Sequence, residues 1–429
     1  MASGPMRYSP INLGRWLVWC SFGLSLIIAP LIFSSGSSVS LLSLMGTVMI
    51  FALSYNMLLG QSGMLSFGHA VYSGLGAFFA IHAINLSSGG TLPVPLTLVP
   101  LVGGIAGLLF GALFGYVTTR RSGTAFSMIT LGIVELVFAC SLMFPGFFGG
   151  EGGVSGDRVY GQPLMGVSFG PQIQVYYLIA FWLFISTVAM FAISHTPLGR
   201  IANAVRDNPE RAEFVGYDPQ RVRFLMLMLS AFFAGISGGL TAINFEIVSA
   251  ENVSAARSGA VLLFAFIGGT GVFFGPMLGA VIGVLLTVML PEFTKAWLLY
   301  LGLFFILMVM YAPGGIASLI MMNLRLVSRG LMPRVFPAML RLAVPAAIAL
   351  LGFVMLIEMT YRLSLDAAHG TALNVFGISV DASSVSAWLL ALALLLIGGG
   401  FFLKLRGAFL DVWGDAQAAL EQSAAGGRR

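Results

Sequence analysis

Charge is what this sequence lacks: Asp, Glu, Lys and Arg make up 9% of its 429 residues, where a soluble globular chain carries about a quarter. Its 21 basic and 16 acidic groups cannot wet a body of this size. Cysteine is nearly absent as well. The two present, Cys20 and Cys140, lie inside apolar runs, which excludes a disulfide-stapled scaffold and leaves them as small hydrophobes. The four histidines, at 69, 82, 195 and 369, fall in segments that the hydropathy pattern holds apart, so no metal site and no Ser/His/Asp or Cys/His constellation is expected. Nothing reads G-x-x-x-x-G-K-[ST], so this chain is not expected to hydrolyse ATP itself. With no catalytic residues and no cofactor expected in this chain, a transport role is expected rather than an enzymatic one.

What abounds is apolar surface and glycine. Hydrophobic residues reach 58%, mean hydropathy is +0.96, and there are 54 glycines. Such a chain belongs in lipid, where small residues let helices approach closely. A bilayer core of about 30 Å needs roughly 20 apolar residues per helix. Runs near 17–33, 41–59, 70–84, 96–117, 126–144, 175–193, 224–245, 259–274, 277–290, 298–311, 342–358 and 386–404 predict an all-α polytopic membrane protein. About ten of these spans form a core with broken Gly-rich helices, and two are extra C-terminal spans. Several runs are short, which leaves the count open by one or two. The first run reads as a signal anchor, because its apolar stretch exceeds the roughly 7–15 residues of a cleavable signal.

Basic residues set the sidedness. If the N-terminus is cytoplasmic, the clusters at 7–15, 120–121, 200–223, 325–341 and 404–429 all lie inside, together with the C-terminus, and only Arg158, Arg257, Lys295 and Arg362 lie outside. The net charge of +5 then reflects membrane orientation, and no nucleic-acid partner is expected.

The connection Ser194 to Arg223 is long for a cytoplasmic loop and carries five arginines. Thr196-Pro197 and Asn208-Pro209 each place a side-chain oxygen at an N-cap and a proline at the first helical position. Two short helices are predicted. The second, Pro209 to Val215, has Glu210 in its first turn and Gly216 just past its end, where a helix-terminating glycine belongs. A helix this short is marginal alone in water, so it should dock on something.

The stretch HTPLGRIANAVRDNPERAEFVGYDPQRVRF, His195 to Phe224, resembles the cytoplasmic loop of ABC importer membrane subunits of the branched-chain amino acid permease type. In that family a Glu-Ala-Ala pattern, with Gly four residues after the last Ala, marks the coupling helix seated in the ATP-hydrolysing subunit. This sequence has Glu210, Arg211, Ala212 and Gly216, so Arg211 departs from the general pattern. The resemblance implies that Asn208, Pro209, Glu210, Arg211, Ala212, Glu213, Phe214 and Gly216 couple the chain to an ATPase. It also implies a second permease subunit, identical or different, and a periplasmic or extracellular substrate-binding protein. Two ATPase subunits would bind the ATP and Mg. The setting would be the cytoplasmic (inner) membrane of a bacterium. Branched-chain or other hydrophobic amino acids are the implied substrates, with urea, short amides and aromatic carboxylates as alternatives. A stand-alone secondary transporter or channel is the alternative from another class.

After the second run comes LLGQSGMLSFGHAVYSGLGAFFA, Leu58 to Ala80, too polar and glycine-rich for a lipid-facing helix. Irregular backbone at membrane depth must be buried in protein or line a cavity. Gly60, Gln61, Ser62, Gly63, Ser66 and His69 are therefore candidates for the substrate path, with free N–H ends for a carboxylate; close helix packing is the other reading. His69 is either a packed histidine bonded to a carbonyl or a neutral donor to substrate. Glu135, alone in the fifth run, is either a structural acid or a partner for a substrate ammonium. The segment PGFFGGEGGVSGDR, Pro145 to Arg158, also resembles the family, which places a Gly-Gly motif at the external mouth. Gly149, Gly150, Gly152 and Gly153 either let that loop lie close to a partner or form a plain turn.

The resemblance covers roughly residues 40 to 322. It implies an N-terminal anchor at 1–39, a permease core at 40–324 and an extension at 325–429. The extension begins with a basic linker, Arg325, Arg329, Arg334 and Arg341, suited to membrane lipid.

Overall fold

The structure is a computed structural model that describes residues 13–91, 94–159, 168–365, 372–375 and 378–426. In chain order the helices are α1 (Leu13–Ile32), α2 (Gly36–Asn56), α3 (His69–Ser88), α4 (Val99–Thr118), α5 (Thr124–Met143) and the single turn α6 (Pro145–Phe148). Then come α7 (Gln172–His195), α8 (Pro197–Asp207), α9 (Pro209–Phe214), α10 (Pro219–Phe245), α11 (Ala255–Gly268) and α12 (Gly275–Val288). The last are α13 (Leu290–Phe293), α14 (Trp297–Tyr311), α15 (Gly315–Ser328), α16 (Met332–Leu365) and α17 (Val385–Gly426). Two small antiparallel ribbons pair β1 (Val154–Ser155) with β2 (Ile247–Val248) and β3 (Ala372–Val375) with β4 (Ile378–Asp381). The predicted all-α membrane fold is what the structure shows.

Among the described residues, nine helices are long and apolar enough to cross a membrane. The pair α14 and α15, bent by 51°, passes as a tenth, and Trp16–Ile32 and Ala255–Gly268 are apolar but shorter. Every predicted run falls on one of these. The run at 259–274 differs most from its expectation. Its helix, α11, stops after 14 residues, which spans only about 21 Å. The cause is Gly269, whose φ of +102° a side chain would strain. A Cβ on Gly268 would collide with the Gly275 carbonyl, so the turn into α12 is closed by glycine against glycine. The stretch read as a basic linker is helical up to Ser328 and resumes as α16 at Met332, with Gly330 at φ +68° reversing the chain.

The chain forms two compact units. The first reaches Val284 and includes Pro313–Ile316; the second holds Leu285–Ala312 and everything from Ala317. In the first, α10 lies buried against α3 and α4 along glycine faces. A Cβ on Gly235 would run into the Gly103 carbonyl, and one on Gly238 into the Ser73 carbonyl. Backbones this close gain dispersion contacts that larger residues would forbid. Ile50, Val71, Phe78, Ile81, Ile236 and Ile243 fill the core around them. In the second unit α16 packs along α17, and Glu358 accepts hydrogen bonds from the Thr294 hydroxyl at 2.6 Å and the Tyr300 hydroxyl at 2.9 Å.

Candidate functional site

The loop between α7 and α10 folds as its capping chemistry dictates. Thr196 Oγ1 accepts from Gly199 N at 3.4 Å to start α8, and Asn208 Oδ1 accepts from Arg211 N at 2.9 Å to start α9. Gly216, at φ +93°, ends α9 with two terminal bonds: Gly216 N donates to Glu213 O at 2.9 Å and Tyr217 N to Ala212 O at 3.1 Å. Asp218 then caps α10 through Gln220 N and Arg221 N. Ala202 and Val205 of α8 and Ala212 of α9 are buried in the core of the first unit. Asn208, Glu210, Arg211 and Glu213 are exposed, Pro209 is half-buried, and Phe214 is 90% exposed. A large aromatic held in the open by a rigidly capped helix has the form of an interface anchor.

One side chain ties this loop to the Gly-rich break. α2 ends in a π-helical turn, Met57–Gln61, after which the chain turns at Gly63 with φ +68°. Arg206 of α8 donates to the Gly60 carbonyl. Its stem lies over Gly63, where a Cβ would stand 2.7 Å from Arg206 Cγ. Gly60 and Gln61 are half-buried, and Gly60 is walled in by Asn56 and the Thr270 carbonyl. Ser62 and Ser66 are buried and satisfied locally: Ser62 Oγ donates to Leu58 O at 2.7 Å, and Ser66 Oγ accepts from Gly68 N at 3.3 Å.

The segment after Gly63 turns back along α2, so that α3 begins level with Phe51. His69 is fully buried there, its ring stacked on Phe51 at 5.5 Å and edge-on to Tyr55 and Tyr72, with Nε2 3.0 Å from Ser54 Oγ. It is a packed histidine bonded to a serine hydroxyl rather than a carbonyl. At the start of α3 two amides are taken: Ala70 N donates to Ser258 Oγ at 2.9 Å and Val71 N to Gly68 O at 3.1 Å. Phe67 N is taken as well, by Thr130 Oγ1 at 3.1 Å. Glu135 is not with His69 in the core: it lies on the exposed face of α5 and makes no ion pair.

The glycines expected at the external mouth divide. Gly149, Gly150 and Gly153 have φ between +63° and +73°, whereas nothing in the structure requires glycine at Gly152. A Cβ on Gly153 would meet the Val248 carbonyl, so the loop lies tight against β2 and is no plain turn. Past it, Arg158 N donates to Glu246 Oε1 at 3.0 Å, and the Arg158 guanidinium reaches the Gly170 carbonyl at 3.1 Å.

Compared with known proteins, residues 37–314 match the family described as branched-chain amino acid transport system, permease component. The chain belongs to that permease family. It is 27% identical over 354 residues, 76% of this chain and 81% of the relative, to the high-affinity branched-chain amino acid transport system permease protein LivM of Salmonella typhimurium. The LivM of Escherichia coli is 26% identical over 352 residues, with the same coverage. A probable LivM of Methanocaldococcus jannaschii is 23% identical over 65% of this chain and 94% of its own length. No solved structure matches. The chain is thus a multi-pass membrane permease and a transport component.

Several residues that build this permease carried no signal of their own in the sequence. Arg206, Thr130, Ser258 and Asn56 are ordinary polar residues until the fold sets them against the break. Their only mark was polarity inside or beside an apolar run. Ser258→Ala is expected to lower stability by about 1–3 kcal/mol, because it strands the buried Ala70 amide. The midpoint of thermal unfolding in detergent measures it, and an unchanged midpoint would count against that cap.

Proposed function

We propose that this permease is a membrane subunit of an ABC importer that moves branched-chain or other hydrophobic amino acids inward by ATP-driven alternating access. The observation that carries this reading is α9, a capped helix of six residues that presents Phe214 to solvent with Val215 beside it. Such a helix fits a cleft in an ATPase subunit, and closure of two such subunits would move it. Arg206 would pass the displacement to Gly60 and Gly63, and so to the inner end of α2 and the start of α3.

The remaining parts of the assembly follow from the same reading. A second permease subunit completes the pore. Two ATPase subunits supply ATP and Mg binding, and an external binding protein docks at the mouth shaped by Gly149, Gly150, Gly152 and Gly153. The protein sits in a bacterial cytoplasmic membrane with both termini inside. Support for the substrate class comes from the family, whose relatives are described as branched-chain amino acid permeases. Urea, short amides and aromatic carboxylates are the competing substrates, and uptake assays with each would separate them.

Gly216→Arg tests the coupling. A Cβ there enters open space, so the strain of φ +93° is the main cost to folding, about 1–2 kcal/mol. The variant should reach the membrane and co-purify with the second permease, yet lose ATP-driven uptake by at least about tenfold, because the new cation sits on the docking face. Uptake that survives it, or that proceeds without ATP, would favour a stand-alone transporter.

A further inference from the structure

We propose that the Arg257 guanidinium, held by Asn252 over the Phe51 ring, receives the carboxylate of the transported amino acid midway through the membrane. This rests on the amino-acid reading above.

After β2 the chain passes through a short 3-10 turn, Ala250–Val253, and enters α11, whose first turn contains Arg257. Arg257 donates to Asn252 Oδ1, and its guanidinium carbon stands 5.9 Å from the centroid of Phe51. Phe51 lies near the middle of the 26-residue apolar stretch Gly36–Gln61, which puts a permanent cation at mid-depth. It is half-buried, so one edge stays open.

Among the described residues no carboxylate forms an ion pair with it. Arg158, Arg206 and Arg221, by contrast, pair with Glu246, Asp207 and Asp218. Other positive potential gathers at the same place. Ser254 Oγ caps α11 by accepting from Arg257 N at 3.2 Å, and Ser258, one residue on, caps α3 at Ala70. Two helix N-termini, each equivalent to about half a positive charge, therefore meet beside the guanidinium. A cation in the first turn of a helix is unfavourable for that helix, and one without an ion-pair partner at membrane depth is costly. Stability alone would put a carboxylate here. A guanidinium binds a carboxylate through two parallel N–H bonds, which suits it to receive one that arrives and leaves.

A charge of the other sign stands on a neighbouring element. α5 packs against both the Ala250–Val253 turn and α11, and Glu135 lies on its exposed face with no ion pair. Unpaired charges of both signs on adjoining helices suit a zwitterion.

Asn252→Asp tests the assignment by giving Arg257 an internal carboxylate. In the reconstituted complex with its binding protein saturating, uptake of radiolabelled leucine should fall at least about tenfold, while thermal stability rises. Arg257→Gln should lose uptake to the same extent without losing the second permease on purification. Wild-type uptake in a folded Asn252→Asp variant would overturn the proposal. So would loss of the second permease from Arg257→Gln, since Arg257 would then pair across the subunit interface. Wild-type complex that carries only solutes without a carboxylate would overturn the amino-acid reading, and this assignment with it.

Discussion

Phe214→Ala is expected to cut ATP-driven uptake by about thirtyfold while the permease folds at its normal level. A buried aromatic anchor at an interface is worth roughly 2 kcal/mol or more, and each 1.4 kcal/mol is a factor of ten in affinity. In the chain alone Phe214 is 90% exposed, so its truncation removes little that folding gained. The loss should therefore appear in co-purification with the ATPase and in uptake, not in thermal stability. Retained co-purification at wild-type level would show that α9 docks through something else. Glu210→Ala on the same helix should cost far less, because a charge at an interface rim acts mostly on the association rate.

The second large effect is on folding. Gly238→Leu should destabilise the first unit by about 3 kcal/mol or more, enough to prevent accumulation of folded protein. Its Cβ alone would overlap the Ser73 carbonyl, and that obstacle is backbone, which cannot rotate away. Gly132→Ala in α5 is the contrast: nothing lies within 4 Å of its Cβ, so it should be neutral or stabilise the helix by up to about 1 kcal/mol. Yield and unfolding midpoint of the two variants in detergent measure the difference. A stable Gly238→Leu protein would mean that α3 and α10 separate more readily than their contact suggests.

These two glycines show where reading the sequence stops. Both sit in apolar runs, and one-dimensional pattern does not say which of them meets a carbonyl. Which glycine meets a carbonyl depends on how α10 rotates against α3 and α4, and that is set by the sum of all facing side chains. The same limit applies to His69 and Glu135. As sequence, each is a lone ionisable group in a membrane segment. The fold buries the histidine between Phe51, Tyr55 and Tyr72, and it leaves the glutamate on the open face of α5. Arg257, read as a loop residue before the run at 259–274, lies inside the first turn of α11 with its guanidinium carbon 5.9 Å from the Phe51 ring centroid. Gly269, at φ +102°, ends α11 after 14 residues, and the 3-10 turn Ala250–Val253 precedes it.

The sequence by itself determined that the chain lives in lipid, where its helices run, and how the loop from Ser194 to Arg223 is capped. Those properties come from composition and from interactions within a few residues: apolar runs against bilayer thickness, an Asn or Thr side chain with its own helix N–H groups, a glycine at positive φ. Only the tertiary structure decided which glycines are contacts, that the Ala70 and Val71 amides at the start of α3 are already bonded, and that Arg206 joins the loop from Ser194 to Arg223 to the break in α2. Each of those depends on residues far apart in the chain, and the energy that places them belongs to the packed helices together rather than to any local stretch.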